Sequence, residues 1–218
     1  MIPLYCGYDK REAAGFHTFV SSVIERASEP VAFIPTMGKQ RDGTNAFTYA
    51  RFLIPEEQRY TGWAIFADAA DMVCLGDIAM LWLHRDESKA VMCVKHDYQT
   101  RHPRKYVGTA MESDNRDYPR KNWSSLMLMN CGHPLWKQIN DRSIGYMSGA
   151  ELHRFAWIPD EQIGELPPEW NVLVDEGQSA EGANLLHWTA GIPGFPEYSI
   201  APSHEVWDEE FIKAMRAG

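Results

Sequence analysis

The chain has 218 residues, is 44% hydrophobic and 23% charged, and carries a formal net charge of −9. This length and composition are typical of a globular protein that buries a substantial core. The acidic balance argues against nucleic acid or an anionic lipid surface as a partner, so an anionic substrate requires a metal ion or a local cluster of basic residues.

The N-terminal residues lack the basic segment and long apolar region of a signal peptide. No stretch approaches the ~20 apolar residues of a membrane span. The four cysteines are scattered without a C-x-x-C pair, which indicates reduced, buried thiols rather than a zinc site. We therefore expect a cytoplasmic protein with no integral membrane segment.

The N-terminal part predicts a strand at Leu4–Gly7, a short turn and an amphipathic helix over Arg11–Arg26. This order is typical of the start of a nucleotide-binding α/β fold. Neither G-x-G-x-x-G nor a Walker A sequence is present, which argues against dinucleotide dehydrogenases and P-loop enzymes. Tyr8 is a candidate for stacking on a nucleobase and Arg11 for contacting a phosphate, although both also fit an ordinary surface.

A second strand is predicted at Val31–Ile34, followed by a polar loop over Gly38–Asn45 and a helix over Phe47–Leu53. Arg51 lies among apolar residues of that helix. An unpaired buried charge is costly, so Arg51 requires a carboxylate or phosphate partner. Both a ligand phosphate and a salt bridge to an aspartate after the next strand fit this requirement.

The apolar run Trp63–Ala67 predicts a buried strand that ends at Asp68, with Asp71 three residues later. In open α/β sheets, ligands bind beyond the carboxyl ends of the strands. Two aspartates flanked by alanines leave room there for Mg²⁺ or Mn²⁺ and an anionic ligand. The alternative is a loop in which the aspartates only cap the next turn.

Further along, a helix is predicted at Ile78–Leu83 and a strand at Ala90–Val94. Residues 96–122 form a long polar segment rich in Arg and Lys, which predicts either a lid facing an acceptor or a solvated loop. A strand follows within Trp123–Asn130, where Ser124 and Ser125 allow a ligand to approach the backbone closely.

The C-terminal part contains His187 at the end of an apolar run and before a Gly/Pro turn, where a lone histidine is more often an ordinary core or surface residue than a functional one. No internal repeat or linker interrupts the chain, which predicts a single domain over residues 1–218. The other elements predicted here are helices at Leu135–Ile139, Gly149–Phe155 and Glu205–Arg216, and a loop plus strand over Ala156–Val174.

Four segments together resemble the GT-A nucleotide-sugar glycosyltransferases, particularly bacterial members of glycosyltransferase family 8. Phe66–Ile78 is similar to that family's Asp-x-Asp strand end with a trailing Gly-Asp, and Trp123–Asn130 to its Asn-Ser-Gly strand. Asp160-Glu161-Gln162 with the later Trp170-Asn171 resembles its Asp-Gln-Asp and Trp-Asn. His187–Phe195 resembles its His-x-x-Gly-x-x-Lys-Pro-Trp.

The chain departs from this pattern at several positions. The two aspartates are separated by two residues instead of one, so that counting back from Gly76-Asp77 aligns Ala69 with the first family aspartate. Asp68 then reaches the site through a bulge, or the metal has one fewer ligand. Ile192–Gly194 replaces the family's lysine region, and Ser125 stands where the family has glycine.

The resemblance implies an α/β fold: a single GT-A (Rossmann-like) domain whose central mixed, mostly parallel sheet is flanked by helices. It implies a metal-dependent glycosyltransferase of the hexosyltransferase type in polysaccharide biosynthesis. The donor is a nucleotide-sugar, with UDP-sugar favoured, and the acceptor is a glycan, a lipid-linked saccharide or another hydroxyl.

The resemblance also assigns roles to individual residues. Mn²⁺ or Mg²⁺ is held by Asp68, Asp71 and His187. Asp160 or Glu161 is the candidate catalytic base of an inverting enzyme, whereas a retaining enzyme, which the family suggests, needs none. The alternative role for one of the pair is to cap a helix after Pro159. The donor-binding candidates are Tyr8, Arg11, Arg51, Asp68, Ala69, Ser124, Ser125, Gln162 and Gly191.

Two other functions are compatible with the sequence. A non-catalytic carbohydrate- or nucleotide-sugar-binding relative fits the altered aspartate spacing and the missing lysine. A sugar-phosphate nucleotidyltransferase also combines an α/β sheet with metal-binding carboxylates, but such enzymes open with a Gly-rich basic loop, which Gly7-Tyr8-Asp9 does not provide.

Overall fold

A central sheet of six strands organises the protein, whose computed structural model describes residues 1–38 and 45–216. The strand order is β2-β1-β3-β8-β5-β9, and only β8 runs antiparallel to its neighbours. The predicted mixed, mostly parallel α/β sheet flanked by helices is therefore confirmed. These strands are β1 (Ile2–Gly7), β2 (Val31–Thr36), β3 (Trp63–Ala67), β5 (Val91–Cys93), β8 (Leu126–Asn130) and β9 (Ile163–Glu165).

Both faces of this sheet are buried. Along β3, Trp63, Ile65 and Ala67 pack into one apolar cluster, whereas Ala64 and Phe66 pack into the cluster on the opposite face. Successive side chains of a strand point to opposite faces, so a strand buried on both sides is apolar throughout. This is why the central strands read as continuous apolar runs.

Two smaller sheets lie beside the central one. In the first, the order is β10-β11-β4, with β11 antiparallel to β4. The second is the antiparallel pair β6 and β7 within the long basic segment 96–122. The strands are β4 (Met72–Cys74), β6 (Arg104–Lys105), β7 (Ser113–Asp114), β10 (Val172–Leu173) and β11 (Leu185–His187).

Helices cover the sheet, and none among the described residues has the length and hydropathy needed to cross a bilayer. The first helix packs Phe16, Phe19 and Val23 against the sheet. The last helix packs on the first, and Arg26 and Glu210 join the two by an ion pair of 2.7 Å. The helices are α1 (Ala13–Arg26), α2 (Ile54–Glu57), α3 (Ile78–Trp82), α4 (Gly149–His153) and α5 (His204–Arg216).

Several predicted helices are shorter or of another type than expected. The helix predicted over Phe47–Leu53 is a 3₁₀ turn at Ala50–Leu53 followed by α2, because Pro55 fits the first turn of a helix. The helix predicted at Leu135–Ile139 is likewise a 3₁₀ turn, Pro134–Gln138. The polar loop predicted over Gly38–Asn45 lies outside the described residues except at its two ends.

Gly15 permits close contact between α1 and the loop after β3. A Cβ atom at this position would overlap the carbonyl oxygen of Ala70. Gly15→Ala is therefore expected to lower the free energy of unfolding by about 2 kcal/mol. This is the opposite of the usual effect, since alanine stabilises a helix interior by about 1 kcal/mol relative to glycine. Gly145→Ala is the control, since a Cβ there meets nothing within 4 Å. Urea denaturation measures both, and equal stability of the two variants would contradict this packing argument.

Candidate functional site

The two aspartates lie on either side of a tight turn at the carboxyl end of β3. Ala69 has a φ of 62°, and the Ala70 N–H donates to the Asp68 carbonyl oxygen at 2.6 Å. A three-residue turn centred on a non-glycine residue with positive φ is strained, and such strain is concentrated at functional sites. The turn accommodates the additional residue between Asp68 and Asp71, so both side chains reach the same place.

His187 joins the two aspartates because of how the second sheet pairs. β11 runs antiparallel to β4 with His187 opposite Met72, and the Trp188 N–H donates to the Asp71 carbonyl oxygen at 2.9 Å. Potential ligand atoms of Asp68, Asp71 and His187 all lie within 4.8 Å of one another. Residues separated by more than 100 positions thus form one compact cluster.

The His187 ring is held in orientation by a chain of hydrogen bonds. Its Nδ1 lies 3.0 Å from Oδ1 of Asn171, whose Nδ2 donates to Oγ of Ser125 at 2.9 Å. The Ser125 hydroxyl in turn donates to the Asn122 carbonyl oxygen at 2.7 Å. Because Nδ1 is engaged, Nε2 faces Asp71 at 3.5 Å from Oδ2, which is the arrangement of a metal-binding histidine with an outer hydrogen-bond partner.

The cluster has the properties of a cation site. Asp71 Oδ1 is buried and has no hydrogen-bond partner among the described residues, which is costly unless a cation is bound. Burial alone lowers the pKa of His187, but the charge of Asp71 and its hydrogen bond raise that pKa above its usual value. Two carboxylates and one imidazole suit Mn²⁺, whereas Mg²⁺ prefers oxygen ligands. The residues present therefore fit a divalent metal ion.

Arg51 forms a buried ion pair with Asp68 of the cluster. Its Nη1 lies 2.5 Å from Asp68 Oδ1 and donates to the Ser124 carbonyl oxygen at 2.9 Å. Its guanidinium lies 4.8 Å from the centre of the Phe66 ring. Burial raises the pKa of Asp68 despite the opposing effect of the Arg51 charge, with a further increase from Asp71. The predicted salt bridge of Arg51 to an aspartate is thus present, and its contact with a ligand phosphate stays a prediction.

A cleft of about 630 Å³ opens above the aspartates. Its walls come from residues between 45 and 51, between 105 and 125, and between 148 and 153, together with Thr189. Ser124 and Ser125 line it because β8 begins beside the end of β3, where the Asp68 N–H donates to the Ser125 carbonyl oxygen at 2.8 Å. The Ser124 hydroxyl also lies 2.7 Å from Nδ1 of His153.

Several predicted site residues are not part of this cleft. Tyr8 packs edge-on against Phe16 at 5.1 Å, and Arg11 forms an ion pair of 2.6 Å with Asp9. Gly191 packs against the ring of Tyr198. None of these three predicted residues lines the cleft. Ala69 lies buried within the turn between the aspartates and offers only its backbone.

The catalytic candidates also lie elsewhere. Asp160 is 84% exposed and ion-paired with Arg120, and Glu161 is exposed with its carbonyl oxygen bound by Lys89. Gln162 leads into β9, and its backbone carbonyl accepts a hydrogen bond from Ala90. The described lining of the cleft includes none of Asp160, Glu161 and Gln162. The structure therefore places neither carboxylate of this motif in the lining of the cleft.

Glu12 and Tyr106 form a buried pair beside the cluster that sequence reasoning missed. The Tyr106 hydroxyl donates to Glu12 Oε1 at 2.5 Å. Burial, together with the charge of Asp71, raises the pKa of Glu12 to about 8. Glu12 had no recognisable motif around it. The basic composition of residues 96–122 was the sequence feature that indicated a functional loop, and this segment places Lys105 and Tyr106 in the lining of the cleft.

The fold is shared with known glycosyltransferases of the GT-A type. LgtC, a galactosyltransferase solved with donor and acceptor sugar analogues, matches at 13% identity over 97% of this chain and 96% of its own, with a TM-score of 0.58. The glycosyltransferase GlyE of Streptococcus pneumoniae matches at 12% identity over 97% of this chain, with a TM-score of 0.65. The bifunctional glycosyltransferase WbbM matches at 15% identity over 99%, with a TM-score of 0.59.

These likenesses confirm the predicted GT-A fold; membership of glycosyltransferase family 8 stays a prediction. The chain spans about half the length of WbbM (51%) and 60% of GlyE. No protein-family model matches the sequence. At the sequence level the chain is 35% identical to Protein CDI of Arabidopsis thaliana over 225 residues, covering 95% of this chain and 85% of that protein. The chain therefore belongs to the same family as Protein CDI.

Proposed function

We propose that this protein is a metal-dependent glycosyltransferase that transfers a hexosyl group from a nucleotide-sugar, with UDP-sugar favoured, to a hydroxyl of an acceptor. The observation that carries this proposal is the cluster of Asp68, Asp71 and His187, whose two aspartates line the cleft. It lies at the carboxyl end of β3, where ligands of open α/β sheets bind. The GT-A fold supports the same conclusion.

The chain's own residues prepare this site for a metal–diphosphate complex. Asn171 fixes the His187 ring, and Arg51 holds Asp68 in place. A bound Mn²⁺ or Mg²⁺ supplies Lewis-acid stabilisation of the charge on the nucleotide leaving group. The cleft volume of about 630 Å³ is within the range of small-molecule sites and large enough for a nucleotide-sugar.

The acceptor we propose is a glycan or a lipid-linked saccharide. We place the reaction in cytoplasmic polysaccharide biosynthesis, and we treat residues 1–218 as a single domain. LgtC was solved with both donor and acceptor sugar analogues, and by likeness the outer part of this cleft is the acceptor side. Ser124 and Ser125 are buried beside Asp68, and with His153 they line the cleft as neutral polar groups for sugar hydroxyls. Asp160 and Glu161 are left out of the proposed catalytic set because of their position.

Calorimetric titration of UDP tests this function, first with Mn²⁺ and then with EDTA. We expect binding with Mn²⁺ and at least about tenfold weaker binding with EDTA, because a divalent ion held by Asp68, Asp71 and His187 would offset the negative charge of the diphosphate. Donor-sugar screening then follows by measuring release of UDP. Binding that EDTA leaves unchanged would favour a non-catalytic nucleotide-sugar-binding protein, and absence of binding by both UDP and GDP would contradict the proposal.

A further inference from the structure

The segment 104–114, which we name the strap, is attached firmly beside the metal-site candidates. It consists of β6, β7 and the turn between them. The Tyr106 N–H donates to the Ala190 carbonyl oxygen at 2.6 Å, and its hydroxyl donates to Glu12. The Val107 N–H donates to the Tyr198 hydroxyl at 2.7 Å. These contacts fix the backbone on both sides of residue 106.

Lys105 of the strap lines the same cleft as Asp68 and Asp71. Within residues 1–38 and 45–216, no hydrogen bond or ion pair engages its side chain, and its Nζ lies 6.0 Å from the centre of the Tyr106 ring. Burial lowers the pKa of Lys105, while the nearby charges of Asp71, Asp68 and Glu12 oppose that change. An ammonium group with three donors thus faces the cleft close to the carboxylate cluster.

Each of the other described cations of the cleft already has at least one hydrogen-bond or ion-pair partner. Arg51 is bound to Asp68 and to the Ser124 carbonyl oxygen. Lys121 donates to Asn115 Oδ1 at 2.6 Å and to the Arg116 carbonyl oxygen at 2.7 Å. Arg116 lies 3.2 Å from Asp114 at the exposed rim. Lys105 is the cation of the described lining whose side-chain donors all remain available to a ligand.

We propose that Lys105 binds the diphosphate of the nucleotide-sugar, together with the metal ion. This inference rests on the proposed function and identifies where the phosphate-binding cation comes from in this chain. The segment Ile192–Gly194 has no basic residue. The strap supplies one from another part of the chain, held in place through Tyr106. A compact ammonium group suits this task because it contacts phosphate oxygens as a point charge.

The proposal is tested by measuring the affinity of Lys105→Met for UDP, for inorganic pyrophosphate and for uridine, each in the presence of Mn²⁺. We expect UDP and pyrophosphate to bind about tenfold more weakly than to the unmodified protein, because a charged hydrogen bond to phosphate is lost. Uridine affinity is expected to stay the same, because uridine carries no phosphate. Lys137→Met is the matched control, since it removes the same charge from an exposed position outside the cleft.

Two further readouts separate a binding role from a structural one. Lys105→Arg keeps the charge and is expected to restore most of the UDP affinity, and thermal unfolding in EDTA shows whether Lys105→Met is folded. If Lys105→Met lowers only the melting temperature and binds UDP within twofold of the unmodified protein, the inference is wrong while the proposed function stands. If the unmodified protein binds neither UDP nor pyrophosphate with Mn²⁺, the proposed function and this inference are both wrong.

Discussion

Asp71→Asn is expected to weaken Mn²⁺-dependent UDP binding by about 100-fold or more, because it removes a charged ligand from the metal-site candidate. Asp71 contributes a buried carboxylate oxygen that lacks a hydrogen-bond partner among the described residues, and its other oxygen faces His187. An asparagine of the same shape cannot supply the negative charge. Calorimetry with Mn²⁺ and UDP measures the loss, and release of UDP from a UDP-sugar measures its effect on turnover.

Asp160→Asn provides the matched control for this experiment. It makes the same chemical change at an aspartate that is 84% exposed and outside the described lining of the cleft. We expect its UDP affinity and turnover to stay within about twofold of the unmodified protein, because exposed ion pairs contribute little. Loss of turnover in Asp160→Asn with retained UDP binding would return that residue to the catalytic set. Full UDP affinity of Asp71→Asn would contradict the metal site.

Arg51→Met is expected to lower the free energy of unfolding by about 3 kcal/mol, because breaking a buried ion pair leaves the partner charge uncompensated. The Arg51 side chain is 5% exposed and that of Asp68 is 14% exposed. Methionine retains the apolar contact with Phe66 but leaves Asp68 without its counter-ion. Urea denaturation in EDTA measures the change in the absence of metal.

A double-mutant cycle distinguishes the ion pair from simple packing. In Arg51→Met/Asp68→Asn neither charge of the ion pair remains, so the stability of the double variant is expected to exceed that of Arg51→Met alone by about 1 kcal/mol or more. Arg142→Met, at an exposed position, is the control and is expected to change stability by less than about 0.5 kcal/mol. Additive effects of the two site substitutions would show that Arg51 stabilises through packing only.

Local patterns in the sequence were sufficient for the elements of the central sheet. The continuous apolar runs at β3 and β8 predicted buried strands, and the spacing of Phe16, Phe19 and Val23 predicted α1. Short 3₁₀ segments were the main errors, since a turn of three to five residues has too few positions to show a period. The hairpin of β6 and β7 escaped notice because each strand has only two residues.

The candidate site was only partly predictable. Motif resemblance gave Asp68, Asp71 and His187 as a set, and the structure brings their side chains within 4.8 Å of one another. Asp160 and Glu161 came from the same resemblance but lie outside the cleft. A motif fixes the order of residues along the chain, whereas the direction of a side chain at the end of a short 3₁₀ turn depends on its tertiary neighbours, here Arg120.

The sequence by itself determined the fold class, the buried strands and the aspartates that end β3, because these depend on short-range periodicity and residue type. Only the tertiary structure decided that the turn at Ala69 brings Asp68 to Asp71, that β11 places His187 opposite Met72, and that Lys105 faces the cleft. These contacts join residues far apart in the chain. Their geometry follows from strand pairing and from the attachment of the strap, which no local pattern encodes.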